Sequence, residues 1–300
     1  MRTIIVRYGE LALKSEPVRR KFEGALLRSI RLMLGRRFSL SRERGRIFVE
    51  CRMADKMARK IAMLPGVTST SPAISTSAML EDIVKTVVRV ARKSLGHGKS
   101  FAIRATRVGQ HPFTSMDVCK NAGRAVLEKF PKTRVNLSSP DVVISVEVRG
   151  RQAYVYSETI CGAGGLPTGT QGKVMALMKG KLRDAVAAYL MMKRGAVVVP
   201  LFVHRGTKSD KKIMKKVNKQ VRRLQGMNPH LELSILKTGD DGNLAGAMER
   251  LARKLGIMAL ITGETIEEAA AVEMWGLQVL RPVAGLDGEI RPLARRAGLI

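Results

Sequence analysis

Residues 172–300 alternate short apolar runs with segments of helical length. Strands are expected over 174–178, 197–203, 231–236, 257–261 and 278–280, and helices over 184–194, 209–224, 242–255 and near 266–274. Strands separated by helices pair in parallel, because a parallel neighbour needs a long crossover, and the crossovers cover both faces of the sheet. Gly195 suits the C-terminal cap of the first helix. This architecture makes the tight turn between strand 174–178 and helix 184–194 decisive. Such a turn presents backbone N–H groups and a helix N-terminus, which together suit a phosphate.

The first 160 residues follow another rule. A β-branched run covers 3–7, and Pro17 opens a helix with Phe22, Leu26, Leu27, Ile30 and Met33 at helical spacing. A strand over 46–51 and a helix to 63 complete most of a ferredoxin-like β-α-β-β-α-β unit. Pro65-Gly66 marks a boundary. A Ser/Thr-rich strand follows, then a helix over 80–95, a strand over 101–105, a helix over 115–130 and strands over 142–148 and 153–157. The glycine-dense CGAGGLPTGT reads as a linker. The expected organisation is therefore 1–64, 65–160, a linker over 161–171, and 172–300: two α+β units followed by a Rossmann-like α/β unit.

Charge is the strongest global signal. Lys and Arg number 54 against 25 Asp and Glu, a net charge of +29 spread over the whole length rather than gathered in a tail. A folded surface this positive implies a polyanionic partner, with nucleic acid favoured over a plain solvated surface. No apolar run is long enough to span a membrane. The opening MRTIIVRYGELALK is too charged for a signal peptide. Three scattered cysteines, Cys51, Cys119 and Cys161, provide neither paired metal spacing nor a disulfide framework, and a reducing cytoplasm fits them. Cys51 and Cys119 fall within element patterns, and Cys161 lies in the linker.

Three basic groups are candidates for contact with RNA. Arg104, Arg107 and His111 cluster at a strand-to-helix turn, with Lys120 and Arg124 on one face of the next helix. Arg19, Arg20 and Lys21 stand at a helix start, where cations oppose the macrodipole. In helix 209–224, Lys212, Lys215 and Lys219 belong to a cationic stripe with Lys208, Lys211, Lys216, Arg222 and Arg223. Ile213, Met214, Val217, Val221 and Leu224 form the apolar face, and Asp210 is the helix's one acid.

The segment Phe101 to Tyr156 resembles a THUMP domain, an RNA-binding module of tRNA-modifying proteins. The resemblance rests on Arg107, Gly109 and His111, then Ser115, Gly123, Val135-Asn136-Leu137 and Pro140-Asp141. The start of the chain, with Glu10, Lys14-Ser15 and Val18-Arg19, is similar to the ferredoxin-like domain that precedes THUMP in the tRNA 4-thiouridine synthase (ThiI) family. The stretch Gly172 to Gly195 resembles that family's pyrophosphatase-type (PP-loop) domain. The resemblance implies tRNA as partner. It also implies ATP-dependent activation of a uridine O4, followed by sulfur delivery from a cysteine persulfide.

The phosphate turn departs from the family pattern. Where the family has Ser-Gly-Gly-x-Asp-Ser, this chain has Lys179-Gly180-Lys181-Leu182-Arg183-Asp184. A glycine becomes Lys181, an aspartate becomes Arg183, and the final Ser becomes a carboxylate that places negative charge where phosphate would sit. Thr262-Gly263-Glu264 matches a second nucleotide-contacting segment, but Val272 replaces its glutamine. The resemblance assigns a vestigial nucleotide site to Leu177, Met178, Gly180, Phe202, Val203 and Gly263. Ending at Ile300, the chain is expected to lack the family's catalytic cysteine region and any added rhodanese-like domain.

The expectation is a tRNA-binding relative with no catalytic residue, metal or cofactor of its own, forming a homodimer or working with a separate catalytic or sulfur-carrier protein. Lys179, Lys181 and Arg183 are expected to join the stripe of helix 209–224 in one cationic surface. The alternatives are an active sulfurtransferase using ATP and Mg²⁺ with an external sulfur donor, and a binder of other RNA such as a ribosome-assembly factor.

Overall fold

The computed structural model describes residues 2–9, 15–35, 38–43, 45–96, 98–237, 244–269 and 277–300. Glu10, Lys14 and Val272, and the end of the helix expected near 266–274, lie outside the described residues. In chain order the elements are β1 (Arg2–Tyr8), α1 (Glu16–Leu34), β2 (Ser39–Glu43), β3 (Arg46–Glu50), α2 (Ala54–Ala62), β4 (Val67–Ser77), α3 (Leu80–Ser94), β5 (Ser100–Val108), α4 (Ser115–Lys129), β6 (Arg134–Val135), β7 (Val142–Arg149), β8 (Gln152–Tyr156) and β9 (Ile160–Cys161). They continue with β10 (Gln171–Leu177), α5 (Leu182–Lys193), β11 (Ala196–His204), α6 (Lys208–Leu224), β12 (Ser234–Lys237), α7 (Leu244–Leu255), β13 (Ala259–Ile261), α8 (Ile266–Ala269), β14 (Gln278–Leu280) and α9 (Ile290–Arg296).

Packing divides the chain into two compact units. One holds Met1–Arg7, Arg37–Ala62 and Ser69–Cys161; the other holds Tyr8–Arg36, Met63–Thr68 and Gly162–Ile300.

In the first unit the strands form a mixed sheet in the order β2-β3-β1-β4-β8-β7-β5-β6, with β9 paired to β4. Residues alternate in and out along each strand. Phe101, Ile103, Ile144, Val146, Val148, Ala153 and Val155 pack with Ile83, Val87 and Val90 of α3 and Val118, Ala122 and Val126 of α4. The opposite face is strongly curved. β3 and β8 are separated by β1 and β4, about 14 Å apart in a flat sheet, yet the Phe48 and Tyr154 rings stack at 4.4 Å. Burial and nearby carboxylates push the Tyr154 hydroxyl up to about 12.

Glu147 on β7 sits on this concave face at 5% exposure. It accepts from Arg7 at 2.6 Å, Arg46 at 3.1 Å and the Tyr156 hydroxyl at 3.0 Å. Burial alone would raise its pKa, but the arginines and the Tyr156 hydroxyl outweigh that and hold it below the ordinary value. A carboxylate on β7 thus ties down arginines on β1 and β3, three and four strands away.

In the second unit a parallel sheet has the order β12-β11-β10-β13-β14. Alternate strand positions feed two cores, as an α/β sheet requires. On one face Val174, Ala176, Val198 and Ile261 meet α5, α6 and α9; on the other Met175, Leu201 and Leu260 meet Met248 and Ala252 of α7. β10 has β11 on one side and β13 on the other, so the chain reverses its direction of winding there. The crevice at such a switch point, beyond the strands' carboxyl ends, is where open α/β sheets bind ligands.

Candidate functional site: an altered phosphate turn and a cationic helix

The turn from β10 into α5 lies at that crevice. Asp184 is the third residue of α5 and is 2% exposed. Its Oδ2 accepts from the backbone N–H of Lys179 at 2.7 Å and of Lys181 at 3.0 Å. A helix N-terminus and converging amides make a ready anion site, and the anion held here is the chain's own carboxylate. Burial pushes the Asp184 carboxyl up to about 6 against the opposing pull of the two amides and of the Lys179 and Lys181 charges. Gly180 has φ +80°, which accounts for glycine at that corner. Gly263, after β13, closes the crevice: a Cβ there would lie 2.6 Å from the Asp184 nitrogen and 2.7 Å from its Oδ1.

The turn packs against α6, where Gln220 donates to the Lys181 carbonyl at 3.0 Å, but its three cations are not unpaired like those of the α6 stripe. Each is answered by an acid. Lys179 pairs with Glu264 at 2.9 Å, and Lys181 and Arg183 both pair with Glu268 at 3.1 Å. Arg183 also approaches Asp287 at 3.8 Å. Glu264, 4% exposed, further accepts from the Thr262 hydroxyl at 3.0 Å and Arg281 at 3.4 Å. Glu268 is held below its ordinary pKa by Lys181 and by the amide of Thr265. Sequence reasoning missed these acids as partners. One signal was available: Thr265 and Glu268 stand three apart and make a reciprocal cap, at 3.2 and 3.3 Å.

The six residues assigned to a vestigial nucleotide site do not all converge. Leu177, Met178, Phe202 and Val203 line one cleft of about 270 Å³, with Lys179, Arg205, Asp210, Ile213 and Leu244. Gly180 and Gly263 belong instead to the turn that Asp184 fills.

The next strand-to-helix turn repeats the geometry. In Arg205-Gly206-Thr207-Lys208-Ser209-Asp210, Gly206 has φ +77°, and Asp210 Oδ2 accepts from the N–H of Arg205 at 2.8 Å and of Thr207 at 3.1 Å. Burial opposes the charge of Asp210 too, yet the Thr207 hydroxyl and the two amides prevail and lower its pKa. Beyond it, Lys208, Lys211, Lys212, Lys215, Lys216, Lys219 and Arg222 are all exposed. None has a carboxylate within ion-pair reach among the described residues, and Val217, Val221 and Leu224 anchor the opposite face.

In the first unit Arg104, Arg107, Lys120 and Arg124 are exposed and His111 is half-buried. Arg107 donates to the carbonyls of Gly109 at 3.3 Å and His111 at 3.5 Å, and the His111 ring stacks on Phe113 at 5.5 Å. Asp141 holds a turn, accepting from the Ser100 amide and hydroxyl at 2.7 and 2.6 Å. Arg20 pairs with Glu16, and Arg19 with Glu23 at 3.8 Å, so internal acids answer part of the charge at the start of α1. Lys21 is exposed and has no ion-pair partner among the described residues. Cys51 is buried, Cys119 half-buried and Cys161 exposed, all as free thiols. Among the described residues no cluster of His, Cys, Asp and Glu could hold a metal ion, and no helix is long and apolar enough to cross a membrane.

Family comparisons identify the lineage. The ThiI ferredoxin-like domain matches residues 3–71, the THUMP domain 77–158, and the family described as thiamine biosynthesis protein (ThiI) 169–240. A probable tRNA sulfurtransferase of Methanosarcina acetivorans is 37% identical over 98% of this chain and 81% of its own length. The chain belongs to the tRNA sulfurtransferase (ThiI) family. Another family member, the probable tRNA sulfurtransferase of Methanobrevibacter smithii, is 32% identical over 98% of this chain and 86% of its own. A crystal structure from Pyrococcus horikoshii superposes with TM-score 0.83 at 27% identity, over 99% of this chain and 100% of that one. The fold is also that of a 4-thiouridine synthetase crystallised with RNA and ATP, with TM-score 0.84 at 23% identity over 100% of this chain and 84% of that one. The ThiI-family architecture of ferredoxin-like, THUMP and PP-loop domains is thus present in this chain.

Proposed function

We propose that this protein binds tRNA and does not itself carry out ATP-dependent uridine activation. The observation that carries the reading is the Asp184 carboxylate seated on the Lys179 and Lys181 amides. ATP would have to place its phosphates against those N–H groups, which already have a partner, beside a negative charge. The residues present therefore do not fit the phosphates of ATP. The lysines of the turn do not change this, because Glu264 and Glu268 hold them.

RNA binding is supported by THUMP membership, by the RNA held by a structural neighbour, and by the charge of +29. The contacts we assign are Arg104, Arg107, His111, Lys120 and Arg124 in the THUMP domain, Arg19, Arg20 and Lys21 on α1, and Lys212, Lys215 and Lys219 on α6. The protein's role is then to dock tRNA for a separate catalytic or sulfur-carrier protein.

One observation favours a second reading, an active tRNA uridine 4-sulfurtransferase using ATP, Mg²⁺ and an external sulfur donor. The apolar cleft at Leu177, Met178, Phe202 and Val203 remains open. Purified protein incubated with unmodified tRNA, Mg-ATP and sulfide, followed by mass spectrometry of the nucleosides, separates the two. No 4-thiouridine is expected; its formation by this protein alone would establish the second reading.

A further inference from the structure

The sheet of the first unit ends on an incomplete edge. β6 is two residues long and pairs with β5 only at Ser100 and Phe101. From there to Val108, β5 has β7 on one side and, among the described residues, no strand on the other. In a parallel ladder the N–H and C=O of one residue point to the same side, and successive residues point to opposite sides. The Phe101 carbonyl takes the Asn136 amide at 3.0 Å on the β6 side, so Ile103, Ala105 and Arg107 direct their backbone groups outward as well. The Ile103 carbonyl accepts from the Cys119 thiol at 3.4 Å. The N–H of Ile103 and both backbone groups of Ala105 and Arg107 have no hydrogen-bond partner among the described residues.

An apolar cleft of about 430 Å³ lies beside this edge. Buried Phe101 and Ile103 and half-buried Cys119 line it, with Leu127, Val135 and Leu137 exposed around them. Lys120 and Arg124 of α4 also face it, and Glu128 is its one acid. Both cations are exposed, with no carboxylate within ion-pair reach among the described residues. An open edge with a neighbouring side-chain pocket is the arrangement by which a sheet accepts a strand from another chain. Charge narrows the occupant. A second copy of this chain would set Arg104 and Arg107 against the same arginines, and like charges facing across strands are destabilising. RNA has no row of alternating donors and acceptors at strand spacing to match the outward backbone groups.

We infer that this edge binds an extended acidic segment of a partner protein, which adds a strand beside Ile103–Arg107, seats apolar side chains in the cleft and pairs carboxylates with Lys120 and Arg124. The inference goes beyond RNA binding and stands without it. Because Lys120 and Arg124 are also assigned to RNA, tRNA should compete with the segment.

The test is fluorescence anisotropy with a labelled peptide alternating valine and glutamate. Its controls are the same peptide with a fully N-methylated backbone and a counterpart alternating valine and lysine. The valine–glutamate peptide should bind saturably and slow amide hydrogen exchange at Ala105 and Arg107, and both controls should bind several-fold more weakly. Ala105→Pro removes one outward N–H, a change that edge strands tolerate, and should weaken peptide binding several-fold. Leu137→Asp, at an exposed position, should do the same with an unchanged melting temperature. The inference is overturned if the valine–glutamate peptide does not bind, if its N-methylated form binds equally well, or if Leu137→Asp binds it like the parent. It is also overturned if the two variants weaken binding of an oligoribonucleotide and not of the peptide, which would assign the edge to RNA. Peptide binding by a protein that fails to bind tRNA would sustain the inference and sink the RNA-binding reading alone.

Discussion

Two adjacent turns, Lys179–Asp184 before α5 and Arg205–Asp210 before α6, share one device and differ in their surroundings. Both place glycine at positive φ, and both use a third-position aspartate to take two backbone amides. Around Asp184 the cations are matched by Glu264, Glu268 and Asp287, and burial disfavours the carboxylate. Around Asp210 the carboxylate is favoured, and the helix beyond carries a row of lysines with no acid within ion-pair reach among the described residues. The first turn is electrostatically closed; the second opens onto a surface that lacks only a polyanion. Positive residues at a phosphate-type turn therefore do not imply anion binding until their partners are known.

The sharpest way to break this contrast is RNA binding. Replacing Lys212, Lys215 and Lys219 with Gln should flatten the salt dependence of tRNA affinity by about 2 to 3 units. The same change at Lys179 and Lys181 should leave it in place; equal effects would erase the distinction.

Stability tests the two caps. Asp210→Ala should lower stability in urea unfolding at pH 7 by more than Asp184→Ala does, because two amides lose a favoured acceptor. Asp184→Ala should cost about 1 kcal/mol or less, since it also removes a carboxylate that burial disfavours. The reverse order would contradict the pKa directions.

A pH series sharpens the same point. Asp184 titrates at about 6 in the folded protein against an ordinary value of 3.8, so the folded state binds more protons between those values. Its contribution to stability therefore rises as pH falls. Relative to Asp184→Asn, the parent should gain about 1 kcal/mol between pH 7 and pH 5. A parallel response in the two proteins would show that Asp184 keeps an ordinary pKa.

The smallest expected effect is at the rim. Glu268→Gln should barely change stability, because its pairs with Lys181 and Arg183 are solvent-exposed or half-buried. By freeing Lys181 and leaving Arg183 with Asp287 alone, it should also raise non-specific RNA binding, measured at low salt.

The alternation after residue 172 made the parallel sheet legible, and α6 follows from its two periodicities, lysines on one face and Val217, Val221 and Leu224 on the other. The exchange of Ser for Asp184 was legible as charge in a phosphate position. Its hydrogen bonds were not, because they depend on how Gly180 turns the chain. Glu264 and Glu268 escaped detection because they reach the turn from the loop after β13 and from α8, 85 and 87 residues further along, through strand pairing that local patterns do not record. The curvature that brings Phe48 onto Tyr154 was hidden for a similar reason. Sheet coiling is a property of many strands, and no single run of residues encodes it.

The central claim is that Asp184 occupies the place of a phosphate. Isothermal titration calorimetry of the purified protein with ATP and Mg²⁺ at pH 7.5 tests it most directly. The account predicts no saturable heat, and micromolar binding would contradict it.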